Sequence, residues 1–376
     1  MMSASVGTRP PDVVADLIVI GGGVIGLATA AAAADRGLSV ALFTADRPGA
    51  ASRAAAGLLV PHYSGEGADR SVGRFMAASR DMYPAYVEWV EEHSGCALPF
   101  SRNGALELAR SPGECATLHA AAPPDADQLS SAEVTALEPA LAPCAGGVLY
   151  SRDGAVDSAR LTDALSVIVG RHPRARIIEE AAARLSLEWT RPVVTGIAGT
   201  RVEGSHVVLA AGAWSTTIAG LPRHTPVRPL RGQICTVRGA PLQRVVLGAD
   251  VYMVTRGGNA TLVGSTMEDV GFDARTTDAA IDGLRRNAEG LCPPLAGEPI
   301  LEAWSGLRPA TPDLLPILGA DRDHPELIYA CGHSRNGILL APITATVITA
   351  IAMDVDPGWD LGPFGIERFD ADRVAE

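Results

Sequence analysis

The chain has 376 residues, which is enough for two domains and a sizeable buried core. Hydrophobic residues make up 47% of it and charged residues 20%, a balance typical of a globular rather than a disordered protein. The net charge of −12, from 31 Lys and Arg against 43 Asp and Glu, argues against a nucleic-acid partner, because binding a phosphate backbone needs clustered positive charge.

The sequence gives no support to metal sites, disulfides or membrane spans. The six cysteines form no C-x-x-C pair and the histidines no H-E-x-x-H pattern, so we expect no metal and the reduced thiols usual in the cytoplasm. The segment Met1 to Val14 lacks the basic-then-apolar order of a secretory signal. Leu17 to Ala34 and Gly337 to Met353 are uncharged, but glycines interrupt the first and Pro342 the second. Both are predicted to be buried elements.

The first predicted elements form a strand–helix–strand unit. Asp16 to Ile20 is a continuous apolar run, typical of a strand buried on both faces. After a glycine turn, the alanine-rich stretch from Leu27 to Arg36 predicts a helix that Gly37 ends. A second strand is predicted at Ser39 to Phe43. Such a unit implies a parallel sheet.

Later segments predict more helices and a second kind of sheet. Asp157, between Val156 and Ser158, has the character of a helix N-cap ahead of an apolar helix through Ile168. The alternation from Pro226 to Ser265 is typical of antiparallel strands. The other predictions are a helical pattern from Arg70 to Pro99, strand-like runs from Ser101 to Tyr150, strands and hairpins from Ile177 to Ala211, and a buried helix from Ile338 to Met353.

The strongest local motif is the run of glycines after the first strand. Gly21 allows a tight turn, Gly23 lets the backbone approach a pyrophosphate, and Gly26 lets helix and strand pack closely. The helix that follows offers free N–H groups to the phosphates. The acid that usually holds the adenosine ribose is replaced by Thr44, whose hydroxyl can still make one such bond, and Asp46 lies two residues further on.

A run of small residues from Gly49 to Leu58 follows the second strand. It fills a core poorly but suits a backbone that lies flat against a large planar ligand, with Ser52 and Arg53 near phosphate. The alternative interpretation is an alanine-rich surface helix.

These motifs resemble the FAD-binding half of the D-amino-acid oxidase family. Three segments carry that resemblance: the glycine run after the first strand, the A-A-A-G-L-L that begins at Ala54, and the V-V-L-A-A-G-A-W-S that begins at Val207. Three further segments resemble glycine oxidases within the family, and together the segments cover nearly the whole chain. They are Val251 to Val254, Trp304 to Thr311 and Gly332 to Pro342.

The resemblance implies a set of site residues. Arg308 and Tyr252 would bind the substrate carboxylate, with Arg335 close to the same site; a guanidinium grips a carboxylate with two bonds and a phenol adds a third. The alternative interpretation of Arg308, considered without the resemblance, is a solvated surface charge. The implied FAD-binding residues are Gly21, Gly23, Val24, Ile25, Gly26, Thr44, Ala51, Ser52, Arg53, Ala56, Gly57, Leu58, Ala183, Gly212, His333, Ser334, Asn336, Gly337, Ile338 and Leu339.

The implied fold class is α/β. A FAD-binding Rossmann-like domain would be interleaved with an α+β substrate domain built on an antiparallel-rich sheet. We predict the FAD-binding domain at residues 1–85, 145–225 and 316–376, and the substrate-binding domain at residues 86–144 and 226–315.

The resemblance also implies the chemistry. Hydride transfer from the substrate α-carbon to flavin N5 would give an imine that hydrolyses, and O2 would reoxidise the flavin and yield hydrogen peroxide. The helix from Ile338 would point its positive end at the flavin. Relatives that bind flavin covalently use a cysteine near the L-R-P segment, where this chain has Gly306, so we expect non-covalent FAD.

The substrate is less well defined by the sequence. Leu58, Asp250 and Ser334 depart from the usual glycine oxidase pocket, and the loss of an aromatic ring at Ser334 frees volume. We hypothesise a longer N-substituent, such as an N-carboxymethyl amino acid cleaved to the amine and glyoxylate. Glycine itself, sarcosine or a D-amino acid are the alternatives, and the oligomeric state stays open.

Three other functions are the alternatives to an amine oxidase. An oxidase domain that removes a carboxymethyl group from tRNA would need a basic face, which a net charge of −12 makes a poor match. An NAD-dependent dehydrogenase would lack a flavin spectrum. A non-catalytic flavoprotein would release no peroxide when substrate is added.

Overall fold

The computed structural model describes residues 10–64, 70–187, 191–248 and 250–370. The helices are α1 (Val24–Asp35), α2 (Ala51–Ala54), α3 (Arg70–Ser94), α4 (Pro112–Ala121), α5 (Ser131–Leu137), α6 (Ser158–Arg171), α7 (Asp278–Leu291) and α8 (Gly337–Ala352). The first strands are β1 (Val13–Ile20), β2 (Val40–Phe43), β3 (Leu58–Leu59), β4 (Phe100–Ser101), β5 (Ala105–Ala109), β6 (Asp127–Ser130), β7 (Gly146–Tyr150), β8 (Gly154–Val156), β9 (Ala175–Ile178) and β10 (Ala182–Ser186). They are followed by β11 (Val193–Gly196), β12 (Arg201–Leu209), β13 (Arg228–Arg238), β14 (Val245–Leu247), β15 (Tyr252–Arg256), β16 (Ala260–Gly264), β17 (Ile300–Ala310), β18 (Ile317–Ala320) and β19 (Leu327–Cys331).

The first sheet has a core of parallel strands in the order β9-β2-β1-β12-β19. Ile20, at the end of β1, lies beside Phe43 of β2 and Leu209 of β12. Because the strands run in parallel, their carboxyl ends meet at one edge, which is where open α/β sheets bind ligands. The hairpin β10–β11 and the strand β18 extend this sheet with antiparallel pairs.

Helices α1, α3, α6 and α8 cover one face of the first sheet. The alanines of α1 let it lie close to α8, which is buried along nearly its whole length although Pro342 lies inside it. Burying one leucine or isoleucine side chain contributes roughly 1.5–3 kcal/mol, so this layer stabilises the sheet strongly.

The second sheet has the strand order β17-β13-β16-β15-β14-β5-β7-β6, and its neighbours are antiparallel except for β14 and β5. One face packs against α5 and α7 through Val134, Ile281 and Leu284. The opposite face carries Tyr252 and Ile234 together with Ala56 from the run after β2. A small third sheet, β3-β8-β4, adjoins that run.

Most predicted elements are present, with shifted ends. The predicted N-cap is confirmed, because the Asp157 carboxylate accepts a hydrogen bond from the backbone N–H of Arg160, and α6 continues past Ile168 to Arg171. The predicted start of the first helix at Leu27 was late, since α1 begins directly after the glycine turn.

Three helices were not predicted. The strand-like interpretation of Ser101 to Tyr150 was wrong in part, because α4 and α5 lie there. Both are short, and none of the residues of α4 is buried, so the apolar periodicity that identifies a helix is missing. The segment of α7 does show it, with Ile281, Leu284 and Ala288 buried at helical spacing.

One strand departs from the predicted domain division. β7 forms backbone hydrogen bonds with β5 in the second sheet, although the boundary at residue 145 assigned it to the FAD-binding domain. α3 also spans the predicted boundary at residue 85. The rest of the division stays a prediction, and its two terminal segments, 1–9 and 371–376, lie outside the described residues, as does most of the Met1 to Val14 segment.

Among the described residues, none of the helices combines the length and apolarity needed to cross a membrane. The same residues include no cluster of three His, Cys, Asp or Glu side chains able to hold a metal ion.

Candidate active site

A cavity of about 780 Å³ runs from the carboxyl edge of the first sheet to the second sheet. This volume lies in the range of pockets that bind small molecules and cofactors. Most of the predicted site residues line it. They are Gly21, Gly23, Val24, Ile25, Thr44, Ala51, Ser52, Arg53, Ala56, Gly57, Leu58, Gly212, Tyr252, Arg308, His333, Ser334, Arg335, Asn336, Gly337 and Ile338.

The glycine turn after β1 is packed so closely that side chains would not fit. Gly21 has a φ of +119°, and a Cβ there would lie 2.3 Å from the carbonyl oxygen of Ala210, at the end of the neighbouring strand. A Cβ on Gly26 would lie 1.8 Å from the carbonyl oxygen of Gly21. Gly26 therefore permits the packing of α1 on the turn, and it does so without lining the cavity.

The first turn of α1 is joined to the small-residue run. The backbone N–H of Val24 donates to the Ser52 hydroxyl at 2.9 Å. A Cβ on Gly23 would lie 3.0 Å from the same hydroxyl oxygen. This bare backbone beside a helix N-terminus fits the pyrophosphate that the sequence predicts there.

Arg53 lines the cavity, but its guanidinium is directed at Asp163. Its guanidinium forms an ion pair with Asp163, and both side chains are more than half exposed. A contact between Arg53 and a phosphate therefore stays a prediction.

Thr44 directly follows β2 and lines the cavity, while its predicted bond to a ribose stays a prediction. Two carboxylates line the same end: Asp46, and Glu179, which directly follows β9 beside β2. Sequence reasoning missed Glu179. Its position after the neighbouring parallel strand is the signal that could have identified it, because both strands end at the same edge.

The backbone carbonyls of residues 54–57 are all hydrogen bonded to donors in other elements. The indole N–H of Trp304 donates to Ala54 at 3.0 Å, and Nη2 of Arg256 donates to Ala56 at 2.8 Å. The hydroxyl of Ser158 donates to the carbonyl of Ala55, and the backbone N–H of Val156 to that of Gly57. Residues 51–54 form one short helical turn and residues 55–57 are not helical, so the alternative of an alanine-rich surface helix applies to those four residues at most.

Arg308 and Tyr252, the predicted carboxylate ligands, are in contact although β13 and β16 lie between their strands. Nη1 of Arg308 donates to the backbone carbonyl of Thr266 at 3.0 Å, and Nη2 donates to the Ser265 hydroxyl. The Tyr252 phenol meets the same hydroxyl and the guanidinium. Burial raises the pKa of this phenol, against the opposing effect of Arg308, so the phenol is protonated at neutral pH.

Two glycines in the second sheet make room for this pair. Gly232 of β13 lies under Arg308, and a Cβ there would be 2.2 Å from Nη1. Gly264 is the register partner of Tyr252, and a Cβ there would be 2.4 Å from the phenol oxygen. Sequence reasoning missed both, although a glycine inside a strand often marks a close approach.

The loop between β19 and α8 closes the cavity. Ser334 has a φ of +50°, and its backbone N–H donates to the carbonyl of Pro309 at 2.8 Å. The side chain of Arg335 is exposed at the cavity. His333, the single histidine among the described residues that line the cavity, is buried, and burial lowers its pKa to about 3. Its imidazole is therefore neutral at physiological pH.

Two other predicted cofactor residues lie away from the cavity. Ala183 lies on β10, where its carbonyl accepts the N–H of Ala219 at 3.0 Å, while Ala181 and Ala182 reach the cavity. The prediction was therefore displaced by one residue. Leu339 is buried in the core around α8, on the helix flank that faces away from the cavity-lining Ile338.

The mouth of the cavity carries polar and exposed apolar side chains. Asp250 lines it and forms an exposed ion pair with Arg110 at 3.0 Å. Trp214 lines it too, with the Arg47 guanidinium 5.8 Å from its ring centre and the Phe272 ring centre at 5.6 Å. Met267 is 54% exposed at the same opening, so a substrate extending from Tyr252 would meet a mixed surface.

The sequence matches the family described as FAD dependent oxidoreductase over residues 16–351. It is 35% identical to a "Bifunctional protein ThiO/ThiG" of Trichormus variabilis over 94% of this chain, and spans 55% of that relative's length. It is 30% identical to a glycine oxidase of Geobacillus kaustophilus, covering 94% of this chain and 97% of the relative.

Solved structures give the same likeness. The crystal structure of the Geobacillus kaustophilus glycine oxidase has a TM-score of 0.87 at 29% identity and covers 94% of this chain and 99% of that one. The iminodiacetate oxidase from Chelativorans sp. BNC1 has a TM-score of 0.84 at 25% identity, covering 93% and 98% of the two chains.

Proposed function

This chain belongs to the family of FAD-dependent oxidoreductases, and from that membership we propose that it oxidises a glycine that carries a substituent on its nitrogen. The predicted family, α/β fold and FAD cofactor are confirmed by the comparisons, and the chain is an amine oxidase of the glycine oxidase type. The NAD-dependent alternative is thereby wrong.

The contact between Arg308 and Tyr252 carries the proposal. The bonds from Arg308 to Thr266 and Ser265 use two of the five N–H groups of a guanidinium, and the others can bind a carboxylate. The protonated phenol of Tyr252 adds a donor. A carboxylate held by both would occupy the end of the cavity that the second sheet bounds.

The residues at the cofactor end fit FAD. The bare backbone at Gly21 and Gly23 leaves room for a pyrophosphate beside the α1 N-terminus, and the tethered run of residues 54–57 offers a flat wall for a ring system. When bound, FAD supplies a hydride acceptor for the substrate α-carbon and passes electrons on to O2, giving hydrogen peroxide.

The protein's own contribution to the reaction is orientation rather than proton transfer. His333 is bonded to Thr344, and with a pKa of about 3 its imidazole is too weak a base to take the proton of the substrate ammonium. In our proposal the substrate reacts as the amine that has already lost its proton to solvent. The resulting imine hydrolyses in water, and an N-carboxymethyl amino acid would give a free amine and glyoxylate.

The substituent on nitrogen is supported by the side chains around the site. Ser334 lines the cavity with a small side chain, and Asp250 lies at the exposed mouth. Glycine itself and D-amino acids are the alternative substrates, and sarcosine, with the smallest substituent on nitrogen, is the alternative to a longer one, since a carboxylate clamp serves all of them. A carboxymethylated tRNA fits poorly with a net charge of −12.

A substrate panel tests this proposal. Glycine, sarcosine, D-alanine and N-carboxymethyl amino acids are offered to the purified protein, and peroxide release is measured. We expect the N-carboxymethyl compounds to have the highest kcat/KM. Equal or better turnover of glycine would contradict the N-substituent.

Arg308→Ala tests the clamp in the same assay. Loss of a charge-assisted pair typically costs about 1.5–3 kcal/mol, so kcat/KM should fall by one to two orders of magnitude. Arg322→Ala, which removes an exposed arginine outside the cavity, is the matched control and should leave the rate unchanged. Full activity of Arg308→Ala would refute the assignment.

A further inference from the structure

Arg308 is held by a segment that lies outside the strands of the second sheet. Both of its bonds go to residues just after β16, the Ser265 hydroxyl and the Thr266 carbonyl. The direction of the guanidinium therefore depends on how this segment is fixed.

Thr266 is tied to β13 through Gln233, which is fully buried. The backbone N–H of Gln233 donates to the Thr266 hydroxyl at 2.9 Å, and the backbone N–H of Thr266 donates to the Gln233 carbonyl at 3.3 Å. The Thr266 hydroxyl in turn donates to Oε1 of Glu268. The carbonyl that accepts from Arg308 thus belongs to a residue bonded on three sides.

Glu268 is the centre of this network. Its Oε2 accepts from Nε and Nη2 of Arg231, and its Oε1 accepts from the Gln233 amide at 2.8 Å. The backbone N–H and carbonyl groups of Arg231 and Glu268 also pair, at 2.8 and 2.9 Å. Burial would raise the pKa of Glu268, but the bonds from Thr266, Arg231 and Gln233 hold it below its ordinary value.

Arg231 and Gln233 face away from the cavity. Neighbouring residues of a strand point to opposite faces, and Gly232 between them faces Arg308. Arg231 is only 5% exposed and does not line the cavity, although its backbone pairs with Leu307, which does. The network therefore reaches Arg308 from the far side of the sheet.

We propose that Glu268, paired with Arg231, is the positioning residue of the carboxylate clamp: it fixes Thr266, and through it the direction of Arg308. This inference rests on the proposed role of Arg308 in binding a carboxylate. It predicts that losing the charge of Glu268 weakens carboxylate binding although Glu268 never touches the ligand.

The adjacent residue provides a matched control. Asp269 also forms an ion pair, with Arg228, but both side chains are more than half exposed. It makes no bond to Thr266. Surface ion pairs of this kind contribute only about 0–1 kcal/mol to the free energy of unfolding. Asp269→Asn therefore removes one charge from the same segment with little loss of stability.

The experiment measures binding of glycolate, a carboxylate without an amine, to the FAD-loaded protein by its effect on the flavin absorption spectrum. Glu268→Gln should raise the glycolate Kd roughly tenfold, as loss of an orienting neighbour typically does, and raise KM more than it lowers kcat. Asp269→Asn should change the Kd less than twofold. FAD content and Tm are measured for each variant.

Thr266→Val is the second variant, because it keeps the Arg231–Glu268 pair and removes only the hydroxyl link. Thr266→Val should raise the glycolate Kd as well. If Glu268→Gln does not fold, Thr266→Val alone tests the inference. An unchanged Kd in both variants overturns the inference. Wild-type glycolate binding by Arg308→Ala would instead overturn the proposed function, so the two failures are distinguishable.

Discussion

The two ends of the cavity are built by different means. The cofactor end consists of backbone and missing side chains: the turn from Gly21 to Gly26 and the tethered carbonyls of residues 54–57. The substrate end consists of side chains that project from the second sheet, with Arg308 and Tyr252 on strands separated by two others. The cofactor end depends on missing side chains within short segments of the chain. The substrate end depends on the register between strands that are distant in the sequence.

This difference predicts two kinds of damage. At Gly21 and Gly26 an added methyl group meets backbone, which cannot move aside, so the surface of the cofactor end is displaced. At the substrate end an added methyl group meets the tip of a side chain, which can shift. FAD should therefore remain bound when the substrate end is damaged, and substitutions at the two ends separate these effects.

The largest effect is expected from Gly26→Ala. The new Cβ would lie 1.8 Å from the backbone carbonyl of Gly21, an overlap that displaces α1 from the turn. We expect a cost of about 4 kcal/mol or more and a protein purified without FAD, measured by the ratio of flavin to protein absorbance.

Gly37→Ala is the control for this substitution. Its φ of +97° is strained for alanine, but a Cβ there meets nothing within 4 Å. It should cost about 1–2 kcal/mol in unfolding free energy and keep its FAD. Retention of FAD by Gly26→Ala would show that the glycine turn does not define the cofactor end.

Gly232→Ala should damage only the substrate end. Its Cβ would lie 2.2 Å from Nη1 of Arg308 and push the guanidinium from its place. We expect a loss of about 1.5–3 kcal/mol in glycolate binding, the value typical of one charge-assisted bond, with normal FAD content. Gly283→Ala in α7, where a Cβ meets nothing within 4 Å, is the control. Loss of FAD together with glycolate binding would contradict the separation of the two ends.

The same difference explains what could be predicted from the sequence. The cofactor end is local, because the strand, the glycine turn and α1 follow one another. The tight turn assigned to Gly21 and the close packing assigned to Gly26 agree with the geometry, whereas the approach of a pyrophosphate at Gly23 stays a prediction. Where a local segment meets a distant one, the prediction was less accurate. The prediction at Ala183 lay one residue away from the cavity-lining Ala182, and Glu179 was not predicted. The positions of both residues depend on how their strands pair.

The substrate end could be predicted only through the family resemblance. Nothing in the local sequence of Gly232 or Gly264 indicates that Arg308 and Tyr252 lie above them, because the register of β13, β15, β16 and β17 decides it. The network around Glu268 was missed for the same reason. Arg231 and Gln233 lie 37 and 35 positions before Glu268, and only the folding of the second sheet brings them beside it.

A third region joins the two sheets and should respond to pH. Asp153 follows β7 of the second sheet, is fully buried, and pairs at 2.8 Å with Arg80 of α3, which packs on the first sheet. Burial raises its pKa to about 6, although Arg80 opposes the shift. The folded protein therefore binds a proton more tightly here than the unfolded chain does.

Asp153→Asn tests this. Stability from the protonated carboxyl is present below about pH 4 and lost as the pH rises through about 6, so wild type should lose stability relative to Asp153→Asn over that window. Each pKa unit corresponds to about 1.4 kcal/mol. We therefore expect the wild type to lose about 1–3 kcal/mol of unfolding free energy relative to Asp153→Asn across this window, measured by urea unfolding at several pH values. The exposed Asp269→Asn serves as control. A difference that is constant with pH would show that Asp153 has an ordinary pKa.

The smallest predicted effect tests whether the two ends are independent. Trp304 lies on β17 in the second sheet, yet its indole N–H donates to the carbonyl of Ala54 at the cofactor end at 3.0 Å. Trp304→Phe keeps an aromatic ring and removes that one bond, worth about 1 kcal/mol, so the FAD Kd should rise roughly fivefold in reconstitution of the apoprotein followed by flavin fluorescence.

Ser158→Ala completes the comparison, because it frees the carbonyl of Ala55 without touching the second sheet. If the ends are independent, both variants weaken FAD binding alike and neither changes the glycolate Kd once FAD is saturating. A rise in the glycolate Kd for Trp304→Phe alone would mean that β17 transmits a displacement from Ala54 to Arg308, four residues further along the same strand. The cofactor end would then set the geometry of the clamp, and binding of FAD would be a condition for binding the carboxylate.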